Sequence, residues 1–383
     1  MRSGSHSLGC GAEMIDVKKY LLNMLWLLFI PATFILIYLA ENDPVTVESV
    51  YSTSVFPVVS SVLPFQYLPY FSFFELLLFG GPVVLIIFFV RFLIRLARLK
   101  ENRLQRVLRL AQRVLIVLAV GLFLFNFLWG FNYYRQPYSE IAGLPVEPST
   151  SDELYALCED LVRDTNTARS KLPSNGDGTL ATRPTVAELN TMAREAYEKA
   201  FEDDVAGIIE VKGYAKPLLS SYLFSYMGIA GIYFPYTAEP NINNHIAEPA
   251  RGSIICHEIA HRQGFAREDE ADFLAYAVCV NSDDPYLRYS GYFMALNHAM
   301  GRLFSENRDA YSVLLHTYSR EVLTDVRAKQ EYWRMFEGPL EERVTNMNDS
   351  YLRAQNQEDG VKSYGRMVDL MLAEKRLADS AGL

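Results

Sequence analysis

The sequence is poor in cysteine, carries no excess of positive charge and, past its first third, has no apolar run long enough to cross a bilayer. Its four cysteines, Cys10, Cys158, Cys256 and Cys279, show no paired metal-ligand spacing and are too few to build a disulfide scaffold. Free buried thiols are the ordinary expectation, with a Cys256–Cys279 bridge as the alternative. The 36 basic residues are outnumbered by 45 acidic ones, which argues against nucleic acid as a partner, because a phosphate backbone calls for a basic face. No internal repeat is present.

What the chain does have is placed unevenly. Residues 20 to 40 run for 21 residues without a charge, enough for a helix to cross a hydrocarbon core of about 30 Å. Residues 70 to 94 are interrupted only by Glu75 and Arg91, near the ends. Residues 114 to 131 are apolar apart from Asn126, and Trp129, Tyr133 and Tyr134 there are the rings expected at a membrane interface. Between the second and third stretches, residues 91 to 113 carry eight basic side chains against the single acid Glu101, so this connection is expected in the cytoplasm. Lys18 and Lys19 agree with an inside start. The expected organisation is a cytoplasmic tail over 1 to 19, a membrane domain over 20 to 131 with three transmembrane helices, and an extracytoplasmic domain over 132 to 383. Ser7-Leu8-Gly9-Cys10 resembles a lipoprotein cleavage box, but no apolar stretch precedes it, and Met14 would serve equally as a start.

In the outer region, Ser151 and Asp152 stand at capping positions before Leu154, Leu157, Leu161 and Val162 at helical spacing. Residues 171 to 185 read as an exposed loop, and Thr185 can cap the helix that follows. Ile229 to Tyr236 is the strand candidate, and beyond residue 254 the chain reads as helix almost to its end.

The segment His257-Glu258-Ile259-Ala260-His261 lies within one of these helices. At 3.6 residues per turn the two histidines share a face and can offer two imidazole nitrogens to one zinc ion, while Glu258 can accept a proton from the water that the metal activates. Gly264 suits the left-handed residue that ends a helix and turns the chain back. Glu268 and Asp272, four apart on the next helix, can then act as third ligand and as acceptor for a ligand's other ring nitrogen. Glu270 is the fallback ligand. Cys256 is expected to pack inward, and His245 and His316 read as ordinary polar positions.

The Glu268-to-Asp272 element resembles the third-ligand helix of gluzincin-type metallopeptidases, although its distance from His261 is closer to the turn of metzincins, whose third histidine is replaced here by Arg267. The segments SYLFSYMGIAGIYFPYTAEPNIN, ICHEIAHRQGFAREDEADFLAY and DGVKSYGRMVDLML resemble a bacterial membrane family catalogued as domain of unknown function 3810. In that family an asparagine often stands where this chain has Asp272. The expected fold is mainly α, with three transmembrane helices followed by a mostly helical, zincin-like extracytoplasmic domain with a small β-sheet.

The expected function is a multi-pass peptidase of the bacterial cell membrane, its metal Zn2+ held by His257, His261 and Glu268, with Glu258 as general base. Its expected partners are the lipid bilayer and a peptide or protein substrate outside the cytoplasm, with Tyr286, Tyr289, Tyr292 or His298 as oxyanion donor and the 229 to 236 strand as an edge for substrate. The competing reading is a non-catalytic, zinc-stabilised membrane sensor or scaffold, against which the presence of Glu258 speaks. An intramembrane protease is disfavoured because Arg251, Arg262 and Arg267 flank the motif.

Overall fold

The computed structural model describes residues 22–98, 103–210, 212–355, 357 and 365–381; the N-terminal tail with Cys10, Lys18 and Lys19 lies outside the described residues. Helices α1 (Leu22–Asn42), α2 (Phe73–Ala97) and α3 (Arg103–Leu128) are each long and apolar enough to cross a membrane. Only 6%, 0% and 11% of their most apolar windows is buried against protein, so these surfaces need another apolar environment. The third helix begins at Arg103 rather than at Val114, and the basic stretch expected to be a loop is mostly helix. Arginine is a good helix former, and Leu104, Val107 and Leu108 continue the apolar pattern backwards through the charged turns.

The connection between α1 and α2 is ordered and docked. Its wide helical segment Val47–Val55 sends Glu48 to Arg135, and Ser52 donates to Asn132 at 2.9 Å. Farther along, Glu75 accepts the backbone amides of Leu219 and Ser220, each at 2.8 Å. Residues 47 to 75 therefore form one body with the chain that follows α3, and both lie at the same end of the three apolar helices.

In the part of the chain that follows α3, α4 (Ser151–Ser170) and α5 (Val186–Glu202) both start in capping boxes, Thr150 with Glu153 and Thr185 with Glu188, so the first cap lies one residue earlier than expected. Next come β1 (Lys216–Pro217), α6 (Ser221–Tyr226), β2 (Gly231–Phe234) and β3 (Glu239–Ile242). The sheet order is β1-β3-β2, with β2 antiparallel and β1 parallel to β3. β3 reads Glu-Pro-Asn-Ile, a composition depleted in strands, and polar burial holds it instead. Glu239, wholly buried, accepts from Lys216 Nζ, from Thr237 and from the amides of Phe73 and Phe74.

Helices α7 (Glu248–Arg262), α8 (Glu268–Val280) and α9 (Pro285–Glu306) pack on one another, with α4 against α9 and the sheet against α7. Their apolar faces meet in one core that includes Leu154, Leu161, Ile255, Leu274 and Phe293. The chain continues through α10 (Arg308–Leu315), α11 (Arg320–Arg334), α12 (Pro339–Ala354) and α13 (Met367–Ala381). Cys158, Cys256 and Cys279 are free and buried in this core, so the Cys256–Cys279 bridge is not formed. Trp129 and Tyr133 are also buried, packed with Phe56 and Tyr233 just past the end of α3.

Arg135 is 1% exposed and makes paired bonds of 2.6 and 2.7 Å to Glu48 while its guanidinium lies 4.0 Å above the Phe265 ring. Arg135→Ala strands a buried carboxylate, so a loss of about 3–5 kcal/mol is expected in the unfolding of detergent-solubilised protein. Arg163→Ala, which breaks exposed pairs with Asp160 and Asp164, should change the same measurement by less than about 1 kcal/mol.

Candidate metal centre

Helix α7 starts with Glu248 and Pro249 in its first turn, both suited to a helix N-terminus, and carries His257, Glu258 and His261 in its second half. The two imidazoles lie one turn apart, ring centroids 4.6 Å from each other. Gly264 then adopts φ +87°, and the chain reverses within a few residues to begin α8 at Glu268. Two groups from this reversal and from α8 occupy one nitrogen of each ring. His257 Nδ1 is 2.7 Å from Asp272 Oδ1, and His261 Nδ1 is 2.7 Å from the carbonyl of Phe265. Both Nε2 atoms are thereby left facing Glu268.

Glu268 Oε2 stands 3.3 Å from His257 Nε2 and 3.4 Å from His261 Nε2, and the three residues are buried. Donors at about 2.0–2.1 Å around a tetrahedral zinc ion are separated by about 3.3–3.4 Å, so this set fits that ion without rearrangement of these two distances. Glu270 points elsewhere: it accepts from the amide of Tyr138 and from Arg267 Nη1, both at 2.8 Å, and is a structural acid.

Charge in the cluster is strongly biased. Burial alone would lower the His257 imidazole, but the Asp272 and Glu268 carboxylates prevail and hold it well above its ordinary range. Burial would raise Glu268, but His261 and His257 hold it below the carboxylate range. Glu258 is pushed up to about 7, chiefly by burial, and its Oε2 has no hydrogen-bond partner. This carboxylate rests against the backbone of β2, where a Cβ on Gly231 would come 2.3 Å from Oε1. Glycine is the residue that fits there.

A cavity of about 790 Å³ opens beside the triad, bounded by β2 and α7 on one side and by Val344, Met347 and Tyr351 of α12 on the other. Of the four side chains considered as oxyanion donors, only His298 lines it. Tyr286 donates to the carbonyl of Glu248 at 2.8 Å, Tyr289 donates to Asp325 at 2.7 Å, and Tyr292 packs against the core. Tyr133 and Tyr351, whose hydroxyls are 3.0 Å apart, also line the cavity, together with Tyr233, Tyr236, Ser253 and Thr345. Tyr133 and Tyr351 come from positions 218 residues apart, and no local pattern joins them. Lys329 also lines the cavity, and His298 Nε2 lies 3.6 Å from Asp272 Oδ2. His245 stacks edge-on against Tyr222, and His316 bonds the carbonyl of Ser312 through Nδ1, both away from the triad.

Comparison with curated proteins and with solved structures gives no match. The family profile described as "Protein of unknown function (DUF3810)" matches residues 51–372, a stretch that holds most of the docked connection, α2, α3 and the whole of the His and Glu cluster. By that match over most of its length, the chain belongs to the DUF3810 family of proteins of unknown function.

Proposed function

We propose that this protein is a membrane-anchored zinc-dependent peptidase that hydrolyses peptide bonds of an extracytoplasmic peptide or protein. The observation that carries the reading is a three-donor cluster at zinc spacing beside a buried carboxylate with an uncommitted oxygen. His257, His261 and Glu268 would hold the metal, with Asp272 and the Phe265 carbonyl fixing the imidazoles. Zinc, when bound, supplies Lewis acidity toward the scissile carbonyl. Glu258, poised near neutrality, accepts the proton of the attacking water and returns it to the departing amine.

The scaffold alternative explains less. A structural zinc site is closed by four protein ligands and needs no base, whereas this cluster offers three donors beside an open cavity. The outer part would face away from the cytoplasm, because basic side chains gather at the opposite ends of α2 and α3.

His257→Ala, His261→Ala and Glu268→Ala should each lose most bound zinc by elemental analysis, while Glu270→Ala and Glu258→Gln keep it. Glu258→Gln should lose about 10²–10⁴-fold in turnover of a quenched-fluorescent peptide library, as expected for removal of a general base. Zinc lost from Glu270→Ala and kept by Glu268→Ala would overturn the ligand set; full turnover by Glu258→Gln would overturn the base.

Gly231→Ala forces the Glu258 carboxylate to move, so it should keep its zinc and lose about 10²-fold in turnover, the order expected for a displacement of about 1 Å at a reacting group. Unchanged turnover in the folded variant would remove Gly231 from the site.

Sidedness has its own measurement. Asn175 is exposed in the outer part, and an Asn175→Cys protein should react with a membrane-impermeant maleimide in intact cells whose outer barrier admits the reagent. Labelling only after lysis would return the cavity to the cytoplasmic side.

A further inference from the structure

The cavity beside the triad does not end within the outer part of the chain. Its lining runs from His257, Glu258 and Glu268 along β2 to Phe125 on α3. Tyr236, just past β2, donates its hydroxyl to the carbonyl of Gly121 at 3.1 Å. Gly121 stands seven residues before the end of α3, so this contact lies about 10 Å along the apolar helix.

β2 is an edge strand, paired only with β3 among the described residues. It begins at Gly231 against the Glu258 carboxylate, and five residues later Tyr236 reaches α3. An extended chain lying along Gly231–Phe234 would therefore have one end at the triad and the other about 10 Å away, at the turn whose Tyr236 touches a helix able to cross a membrane. At that place α3 is open. A Cβ on Gly121 would meet nothing within 4 Å, and the neighbouring Leu118 and Leu122 are exposed.

We propose, on the footing of the peptidase reading above, that the substrate is itself a membrane-spanning polypeptide. Its helix lies beside α3 at Gly121, its adjoining extended stretch pairs with β2, and the bond cut lies about five residues from the end of that helix. The reaction is ordinary hydrolysis: the hydroxyl of water bonds to the carbonyl carbon, the carbon–nitrogen bond breaks, and the proton taken by Glu258 passes to the amine nitrogen. The neighbouring helix supplies the effective concentration that a short extended stretch on one strand edge does not.

The test uses the full-length zinc-loaded protein in vesicles of phosphatidylethanolamine and phosphatidylglycerol. Three reporters share one unstructured, sequence-randomised fluorescent stretch; one is fused to a single apolar helix, one carries an acyl lipid, and one is unanchored. The helix-anchored reporter should be cut about 10²-fold faster than the unanchored one and about tenfold faster than the lipid-anchored one, with cuts about five residues from the helix. The lipid reporter reaches the same surface, so equal cutting of the two anchored reporters overturns the helix contact. Equal cutting of all three, or cuts placed without regard to the anchor, overturns the membrane-spanning substrate. Gly121→Leu fills the open face away from the triad and should abolish the preference for the helix anchor while cutting of the unanchored reporter continues; a preference that survives in this variant overturns the contact at Gly121. Binding keeps this proposal separate from the peptidase reading. Glu258→Gln protein, read by energy transfer to each reporter, should favour the helix-anchored one by a similar factor. If no reporter is cut and that preference persists, the peptidase reading fails and the recognition stands; no preference in binding overturns the recognition.

Discussion

Everything at the centre depends on two imidazoles being turned the same way. Each ring has two nitrogens, and a site for one cation requires that one of them be engaged elsewhere. Asp272 engages His257 from α8, and the Phe265 carbonyl engages His261 from the turn between α7 and α8. That turn closes only because Gly264 accepts a positive φ with Asn132 and Phe56 packed close on it. Asn132 in turn accepts from Ser52, and Arg135 stacks on Phe265 while gripping Glu48. The aim of His261 thus rests on chain drawn from both sides of α2 and α3.

The joints between the apolar helices and the chain that follows α3 are made by buried carboxylates. Glu48 meets a guanidinium, Glu75 meets two amides at the start of α6, and Glu239 meets Lys216 together with the amides that open α2. Burying such groups is unfavourable unless the whole set of partners is present, so partial docking is penalised. The result is a stiff union in which the cavity keeps its position relative to α3.

The sequence made the cluster of His257, His261, Glu268 and Asp272 legible because its parts are local. Two histidines one turn apart, a glycine stop and two acids one turn apart are read from helical periodicity within sixteen residues, His257 to Asp272. Helix caps at Thr185 and the strand around Gly231 were legible for the same reason, each being set by near neighbours. Long-range choices were not. Trp129 and Tyr133 have the composition of an interfacial belt, and only tertiary packing shows them buried against Tyr233 and Phe56. β3 has a poor strand composition and is fixed by Lys216 and the start of α2, and the pairing of Tyr133 with Tyr351 has no signal along the chain. The extension of the third helix back to Arg103 is hidden by a physical ambiguity: arginine marks both the end of an apolar span and a good helical turn.

The apolar surroundings of the cluster come from two sources. Behind α7 and α8 lies the main core, while in front lies a smaller cluster of Phe56, Trp129, Tyr133, Tyr233, Ala238 and Ala266, with Trp129 edge-on to His261 at 5.9 Å. Phe56 belongs to the connection before α2, and Trp129 follows the end of α3 directly. Between these two walls His257, Glu258 and His261 are buried, and charges act on one another at a lower effective dielectric than in bulk water. That is why two carboxylates ten residues apart on neighbouring helices are driven in opposite directions, Glu268 down by the imidazoles and Glu258 up by burial. Cutting the chain at residue 132 would remove Phe56 and Trp129 from the front wall, and Phe56 is also one of the side chains packed on Gly264. The electrostatics of the cluster therefore depend on the apolar helices and the chain after them together, because Phe125 on α3 and Trp129 just past its end form part of the wall around it.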